Sequence, residues 1–241
     1  CTRGCDLRGV PSWQQLPPWD VDMTFSDDMV FDFDRQRRIG LPEAVFAEGK
    51  DVSQLSGIVF EAIERDASLL LTRLGEDLHD RLRAAIPDVL DYDPRSRTAM
   101  LKPAPVTGPA RVAVVTAGTV DLPPAREAIR TLAFHGAASQ LFADIGVAGL
   151  WRLLERKDEI AQYPIVIAAA GMEGALFSVL AGLVPGVMIA VPTSNGYGVA
   201  EQGRLALHAA LSSCAPGVVV CNIDNGYGAA CAALRVMQVS G

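Results

Sequence analysis

From Arg111 to the end of the chain, short apolar runs alternate with stretches that have helical spacing. Each apolar run is followed by a turn and then by a helical stretch. The five runs are RVAVVT, AASQLF, PIVIAAA, GVMIAVP and GVVVCNI. Strands buried on both faces and separated by helices are typical of a parallel sheet with helices on either side. The pattern therefore predicts a three-layer α/β domain over residues 111–241.

One of these strands ends in an isolated acid. In PIVIAAAGMEG the apolar run stops at Gly171, and Glu173 follows with no other charged residue before Glu201. The carboxyl ends of parallel strands meet at one edge of a sheet, where open sheets bind ligands. We therefore expect Glu173 to share a site with residues of the other strand-to-helix turns. The substrate-binding candidates from these turns are Thr116, Gly118, Thr119, Asp121, Asp144, Gly171, Met172, Gly174, Thr193, Ser194, Gly196 and Tyr197.

The turn AGTVD, residues 117–121, is the best phosphate or ribose candidate in this set. Thr119 would contact phosphate and Asp121 would contact hydroxyls, since free N–H groups and hydroxyl side chains at helix starts bind anions. The turn matches neither the GxGxxG pattern nor the P-loop. Ordinary turn and N-cap hydrogen bonding explains the same residues as well, so both interpretations stay open.

The part of the chain before the parallel sheet is organised differently. Residues 1–31 lack periodicity and predict an extended or disordered lead-in. Residues 32–102 combine helical and strand patterns and predict a small N-terminal α/β domain, followed by a Pro- and Gly-rich linker over residues 103–110. Arg35 and Arg38 belong to a dense charged cluster, which is either a solvated face or a fork for phosphate or carboxylate.

Charge and hydropathy limit the function classes. The net charge of -7 argues against nucleic acid or an anionic membrane as partner. The uncharged stretch 174–200 is interrupted by Gly182, Pro185 and Gly186, so we do not expect it to span a membrane. Charged residues are much sparser in the second half than in the first, which predicts extensive subunit contacts in a homo-oligomer.

No Ser–His–acid arrangement stands out, so a nucleophile would be a cysteine. Cys214 ends a predicted helix, whereas Cys221 lies in a predicted strand and Cys231 in a predicted helix, both as core residues. A buried structural cysteine is the alternative interpretation of Cys214. The five cysteines show no metal-type spacing and the chain shows no signal-peptide pattern, which together predict reduced thiols in a cytoplasm.

A set of uncommon motifs resembles one known family. The motifs VVTAGTVDLPPAREA, DIGVAG, AAGMEGAL, AVPTSNGYG, SSCAPG and NIDNGYGA, in this order, resemble the LarB carboxylases of nickel-pincer cofactor biosynthesis. DFDRQRRIGLPEAVFAEGK resembles the N-terminal domain of that family. The resemblance runs from about residue 32 to the end of the chain. The C-terminal part is more distantly similar to aminoimidazole ribonucleotide mutases and carboxylases, which have a flavodoxin-like core and form octamers.

The resemblance implies an enzyme that takes nicotinic acid adenine dinucleotide and CO2, or bicarbonate as its source. It would carboxylate the pyridinium ring at carbon 5 and hydrolyse the phosphoanhydride. The products would be AMP and pyridinium-3,5-biscarboxylic acid mononucleotide, on the route to the cofactor of lactate racemase-type enzymes. The catalytic cysteine of the family matches Cys214 and its catalytic acid matches Glu173. A thiolate adding at carbon 6 would make carbon 5 nucleophilic, and Glu173 would then remove the carbon 5 proton.

The resemblance also implies roles for the remaining candidates. AGTVD and TSNGYG would contact the mononucleotide phosphate and ribose, and Arg35 and Arg38 would contact the dinucleotide. Hydrolysis in the family uses a divalent cation, so Asp121 and Asp144, or Asp224, are candidate ligands of Mg²⁺ or a similar ion.

Two other functions stay open from the sequence. An aminoimidazole ribonucleotide carboxylase or mutase would use a catalytic histidine, which the sequence does not place in the site, and would need no cysteine. A non-catalytic nucleotide-binding subunit would use the same glycine turns and leave Cys214 and Glu173 dispensable.

Overall fold

The computed structural model describes residues 31–32 and 34–239, so the lead-in predicted over residues 1–31 lies, except for Phe31, outside the described residues. The first part contains a mixed sheet in the order β1-β2-β4-β3, with β1 and β2 parallel and the other pairs antiparallel. Its strands are β1 (Ala44–Phe46), β2 (Leu69–Thr72), β3 (Asp91–Asp93) and β4 (Thr98–Leu101). The helices of this part are α1 (Arg35–Ile39), α2 (Val52–Glu64) and α3 (Glu76–Arg83).

Helix α2 shows why this region folds as its pattern predicts. Asp51 accepts a hydrogen bond from the Gln54 N–H at 2.8 Å, and the Gln54 side chain accepts one from the Asp51 N–H. This capping box satisfies two N–H groups that the first helical turn leaves without partners. Leu55, Val59 and Ala62 recur at helical spacing and are all buried.

The five apolar runs of the second half form one all-parallel sheet in the order β6-β5-β7-β8-β9. Its strands are β5 (Thr107–Thr116), β6 (Ala137–Phe142), β7 (Ile165–Ala170), β8 (Val187–Pro192) and β9 (Val219–Val220). The helices that connect and follow them are α4 (Leu122–Phe134), α5 (Leu150–Ile160), α6 (Ala175–Ala181), α7 (Arg204–Leu211) and α8 (Gly226–Val239). This strand order is the flavodoxin-like one, so the predicted fold class is confirmed.

Helices cover both faces of the parallel sheet and give it three layers. On one face, α4 and α8 bury Leu132, Ala229 and Ala233 against one set of alternating strand residues. On the other face, α5, α6 and α7 bury Leu153 and Phe177, among others, against the opposite set. Because both faces of the sheet are buried, the strand sequences are continuous apolar runs.

The small mixed sheet packs against the α4 side of the parallel sheet. Arg130 of α4 joins the two by donating to Thr98 Oγ1 at 3.2 Å and to Asp91 Oδ2 at 2.9 Å. Residues 107–110, predicted as part of the linker, form the start of β5, because the Thr107 N–H already bonds the Gly136 carbonyl at 3.1 Å. The described residues from Phe31 onward fall in one compact unit.

The uncharged stretch 174–200 forms α6 and β8 and the turns around them. Within the described part of the chain, every helix is too short or too polar to cross a bilayer.

Candidate active site

A cleft lies at the carboxyl edge of the parallel sheet, where the strand order reverses. The chain leaves β5 to enter α4 on one face and leaves β7 to enter α6 on the other, which opens a crevice between the two turns. The cleft has a volume of about 580 Å³. Eight of the predicted site residues line it: Gly118, Asp121, Asp144, Gly171, Met172, Glu173, Gly196 and Tyr197.

Asp121 is the buried centre of the cleft floor, with 3% of its surface exposed. Its carboxylate accepts from the Gly118 N–H at 2.9 Å, the Thr193 hydroxyl at 2.5 Å and the Asn195 amide at 3.2 Å. The Asn195 amide also donates to the Val120 carbonyl oxygen at 2.7 Å. Asp121 therefore ties the turn after β5 to the turn after β8, and its first role in this structure is to fix the shape of the cleft.

The turn after β6 is fixed in the same way. Thr116 is fully buried and its Oγ1 accepts from the Asp144 N–H at 3.1 Å. The Asp144 carboxylate pairs with Arg152 Nη1 at 2.7 Å. Gly149 leaves room for that guanidinium, since a Cβ there would lie 2.7 Å from Arg152 Nε. The turn after β6 therefore presents an ion pair to the cleft.

Gly171 allows the turn after β7 to touch the turn after β8. The Met172 N–H donates to the Asn195 carbonyl at 2.7 Å, and a Cβ on Gly171 would lie 2.1 Å from that same oxygen. Only glycine permits an approach this close.

We expect Gly171→Ala to destabilise the protein by roughly 3 kcal/mol, because a backbone oxygen must move to admit the methyl group. Gly182→Ala is the matched control, since a Cβ at Gly182 meets its nearest atom at an ordinary 3.5 Å. Denaturant unfolding of both variants measures the difference. Equal unfolding free energies for the two variants would contradict this account of the turn.

Glu173 lies at the rim of the cleft and its side chain is exposed. It follows Met172, which has a left-handed backbone with φ 55, and precedes Gly174, which caps α6 with φ 65. These two left-handed residues turn the chain sharply out of the buried strand. The carboxylate is therefore presented at the mouth of the cleft.

Cys214 lies on the turn between α7 and β9 and is exposed, so the alternative of a buried structural cysteine does not hold. It does not line the cleft. Its turn is nevertheless tied to the helix that follows Glu173, because the hydroxyls of Ser178 and Ser213 are hydrogen-bonded at 2.7 Å. Cys221 and Cys231 are partly buried, and burial raises the pKa of both thiols.

The other predicted binding residues lie outside the cleft lining. Thr116, Thr193 and Gly174 are buried behind it, and Thr119 and Ser194 are exposed beside it. Arg35 lies 3.8 Å from Glu43, and Arg38 pairs with Asp32 at 2.5 Å, which lowers the pKa of that aspartate. Dinucleotide contacts by the two arginines stay a prediction.

The carboxylates proposed for Mg²⁺ already have protein partners. Three donors occupy Asp121, and Arg152 pairs with Asp144. Within residues 31–32 and 34–239, no group of three or more His, Cys, Asp and Glu side chains could hold a metal ion. These residues do not fit a cation held by the protein alone. Whether a cation binds together with the substrate stays a prediction.

The sequence did not single out Asn195 or Arg152, whose roles depend on contacts between different turns. Asn195 lies inside TSNGYG, so the motif itself could have suggested it. All three histidines lie away from the cleft lining: His79 stacks on Tyr92, His135 ends α4 and His208 is in α7.

Two comparisons relate this chain to known proteins. The family model described as LarB/PurE-like N-terminal domain matches residues 26–103. The uncharacterized protein MJ0165 of Methanocaldococcus jannaschii is 36% identical over 208 residues, which cover 82% of this chain and 79% of that protein. The second match extends the similarity well beyond the N-terminal domain.

Proposed function

The chain belongs to the LarB family, whose LarB/PurE-like domains indicate an enzyme of the carboxylase or mutase type, and on that premise we propose its reaction. We propose that it carboxylates nicotinic acid adenine dinucleotide at carbon 5 of the pyridinium ring and hydrolyses the phosphoanhydride. The products are pyridinium-3,5-biscarboxylic acid mononucleotide and AMP. The first of these enters nickel-pincer cofactor synthesis for lactate racemase-type enzymes.

The observation that supports this proposal most is the position of Glu173. A carboxylate stands at the mouth of the cleft, and the thiol of Cys214 is exposed on the turn after α7, where it is free to reach a neighbouring copy. An acid and a thiol are the two groups that ring carboxylation needs. An aminoimidazole ribonucleotide carboxylase or mutase would need a catalytic histidine instead of these two groups, and it stays the alternative.

The proposed chemistry begins with the thiol, because a pyridinium carbon is electrophilic and cannot attack CO2. The Cys214 thiolate adds to carbon 6, and the ring becomes a neutral dienamine with electron density at carbon 5. Carbon 5 then forms a bond to the carbon of CO2, and positive charge returns to the ring nitrogen.

The Glu173 carboxylate accepts the proton from carbon 5. The electrons of that C–H bond restore the aromatic ring, and the C–S bond breaks to release the thiolate. The carboxylation therefore balances: the ring gains CO2 and loses one proton, and the protein recovers its thiolate. A water molecule completes the reaction by cleaving the phosphoanhydride.

Because Cys214 does not line the cleft of its own chain, we propose that the enzyme works as a homo-oligomer, an octamer by family resemblance. Large apolar side chains are exposed near both catalytic candidates: Tyr197 (82%) and Val199 (85%) near the cleft, and Leu211 (66%) near Cys214. Exposed apolar side chains in this concentration are typical of a subunit interface.

The test is to incubate the full chain with nicotinic acid adenine dinucleotide, Mg²⁺ and carbon-13 bicarbonate. We expect label in a pyridinium product together with an equal amount of AMP. AMP without ring label would contradict the carboxylation. Label in carboxyaminoimidazole ribonucleotide, when aminoimidazole ribonucleotide is supplied instead, would identify the alternative enzyme. Binding with no product would indicate a non-catalytic subunit.

A further inference from the structure

A second cavity adjoins the cleft, and Val120 and Asn195 line both. Its volume is about 210 Å³. The small sheet contributes Arg73 and Arg97 to its wall, and the parallel-sheet part contributes Glu127, Ser194 and Asp224, among others. We call it the arginine cavity.

The two guanidinium groups of the arginine cavity keep most of their hydrogen-bonding capacity. Arg73 Nη2 donates to the Asp224 carbonyl oxygen at 2.6 Å, and its Nε lies 3.9 Å from Glu127. Arg97 is exposed, and its Nη2 donates to the Arg73 carbonyl oxygen at 3.4 Å. Within the described part of the chain, Arg97 forms no ion pair with a carboxylate. Each guanidinium has five N–H donors, so several remain for a ligand.

The two acids of the arginine cavity each hold a backbone N–H, and Glu127 also lies beside Arg73. Glu127 Oε2 accepts from the Tyr227 N–H at 3.1 Å, and burial raises the pKa of this carboxyl. Asp224 Oδ1 accepts from the Ser194 N–H at 2.9 Å. These bonds hold the start of α8 and the turn after β8 in place. Among the described residues neither acid pairs with Arg97, so this exposed guanidinium is the group that favours an anion.

The remaining wall offers few backbone N–H donors, so an anion in this cavity would be held by side chains. Pro123 and Pro124 form the first turn of α4 and line the cavity, and proline has no N–H to donate. Arginine binds phosphate through two parallel N–H bonds and also stacks on flat rings. A nucleoside phosphate presents both features.

We propose that the arginine cavity binds the adenosine monophosphate half of the dinucleotide, with the pyridinium half in the cleft. This assignment rests on the proposed function. The boundary formed by Val120 and Asn195 is then where the phosphoanhydride crosses from one cavity to the other. AMP, the product of hydrolysis, remains in the arginine cavity until it dissociates.

The test is calorimetric titration of the full chain with AMP, with nicotinic acid mononucleotide and with inorganic phosphate at one ionic strength. For Arg97→Met we expect the Kd for AMP to rise at least about tenfold, the loss typical of a charge-assisted hydrogen bond. The Kd for nicotinic acid mononucleotide should not change. Arg95→Met is the matched control, since Arg95 is exposed on the same turn and does not line the cavity.

Four results overturn the assignment. They are no AMP binding by the unsubstituted chain, an equal Kd for AMP in Arg97→Met, an equal loss in Arg95→Met, and inorganic phosphate binding as tightly as AMP. Arg97→Lys, which keeps the charge and loses the fork, replaces Arg97→Met if that variant does not fold. The AMP titration does not depend on turnover. If AMP binding depends on Arg97 but the full chain forms no labelled ring product, the proposed reaction is wrong and the AMP site is still supported.

Discussion

Cys214→Ala is expected to lose ring carboxylation, with the rate of pyridinium product falling at least about 10³-fold, as when a covalent nucleophile is removed. Without the thiolate the ring stays cationic and carbon 5 cannot attack CO2. Incorporation of carbon-13 into the product, followed by mass spectrometry, measures the loss. Binding of nicotinic acid mononucleotide to the variant should persist, because the contacts proposed for its phosphate and ribose come from the turns AGTVD and TSNGYG.

The matched control for this experiment is another cysteine. Cys221→Ala removes a thiol whose pKa is raised by burial, so it has little thiolate at neutral pH and should retain ring carboxylation. If Cys214→Ala forms the labelled product at the rate of the unsubstituted enzyme, the covalent mechanism is wrong. If both variants lose activity equally, the loss reflects folding rather than chemistry.

Mixing variants tests whether Cys214 acts across a subunit boundary. The experiment unfolds Cys214→Ala chains and Glu173→Gln chains and refolds them together. If Cys214 and Glu173 of one site come from different copies, some of the mixed sites would contain both native residues. Activity would then return to part of the original level. Sites built within one chain would stay inactive in every mixture, which would contradict the proposed oligomeric site.

The parallel sheet could be predicted from the sequence because its signal is local and strong. Five apolar runs, each followed by a turn and a helix, admit few other arrangements, and they place eight predicted residues around one cleft. The same pattern places Gly171 and Glu173 at the carboxyl edge of the sheet, and both line the cleft. The start of β5 was less accurate, because Gly108 and Pro109 suggest a linker whereas Thr107 already pairs with the sheet.

The partners of individual side chains could not be predicted in this way. Asp121 suggested a contact to hydroxyls or to a cation, but it accepts hydrogen bonds from Thr193 and Asn195, more than seventy residues away. The arginine cavity had no local signal at all. Arg73 and Arg97 follow and precede short strands of the small sheet, and they reach the cleft boundary only because α4 packs on that sheet.

The positions of the two proposed catalytic residues, Glu173 and Cys214, were hard to predict for the same reason. Glu173 follows a strand and must lie at the carboxyl edge of the sheet, whereas Cys214 follows a helix and lies on a turn that leads into a strand. The Ser178–Ser213 hydrogen bond, which no local pattern predicts, joins the two segments within one chain. Information on subunit contacts is what the sequence of one chain lacks.

Glu173→Gln is expected to slow turnover by about 10²–10⁴-fold, the contribution typical of a general base. The amide has nearly the same shape as the acid but cannot accept the carbon 5 proton. Thiolate addition and carboxylation come before that proton transfer, so the ring should accumulate on Cys214. Borohydride reduction followed by mass spectrometry of the intact protein should reveal the covalent adduct.

Two variants give this experiment its controls. Glu155→Gln makes the same change on the exposed surface of α5 and should turn over normally with no adduct. The double variant Cys214→Ala with Glu173→Gln should show neither turnover nor adduct, because the attachment point is gone. An adduct that survives in the double variant would assign the covalent bond to another residue. Normal turnover by Glu173→Gln would show that Glu173 does not accept the proton. The two other acids that line the cleft are poor substitutes, because Asp121 is buried among three donors and Asp144 is paired with Arg152.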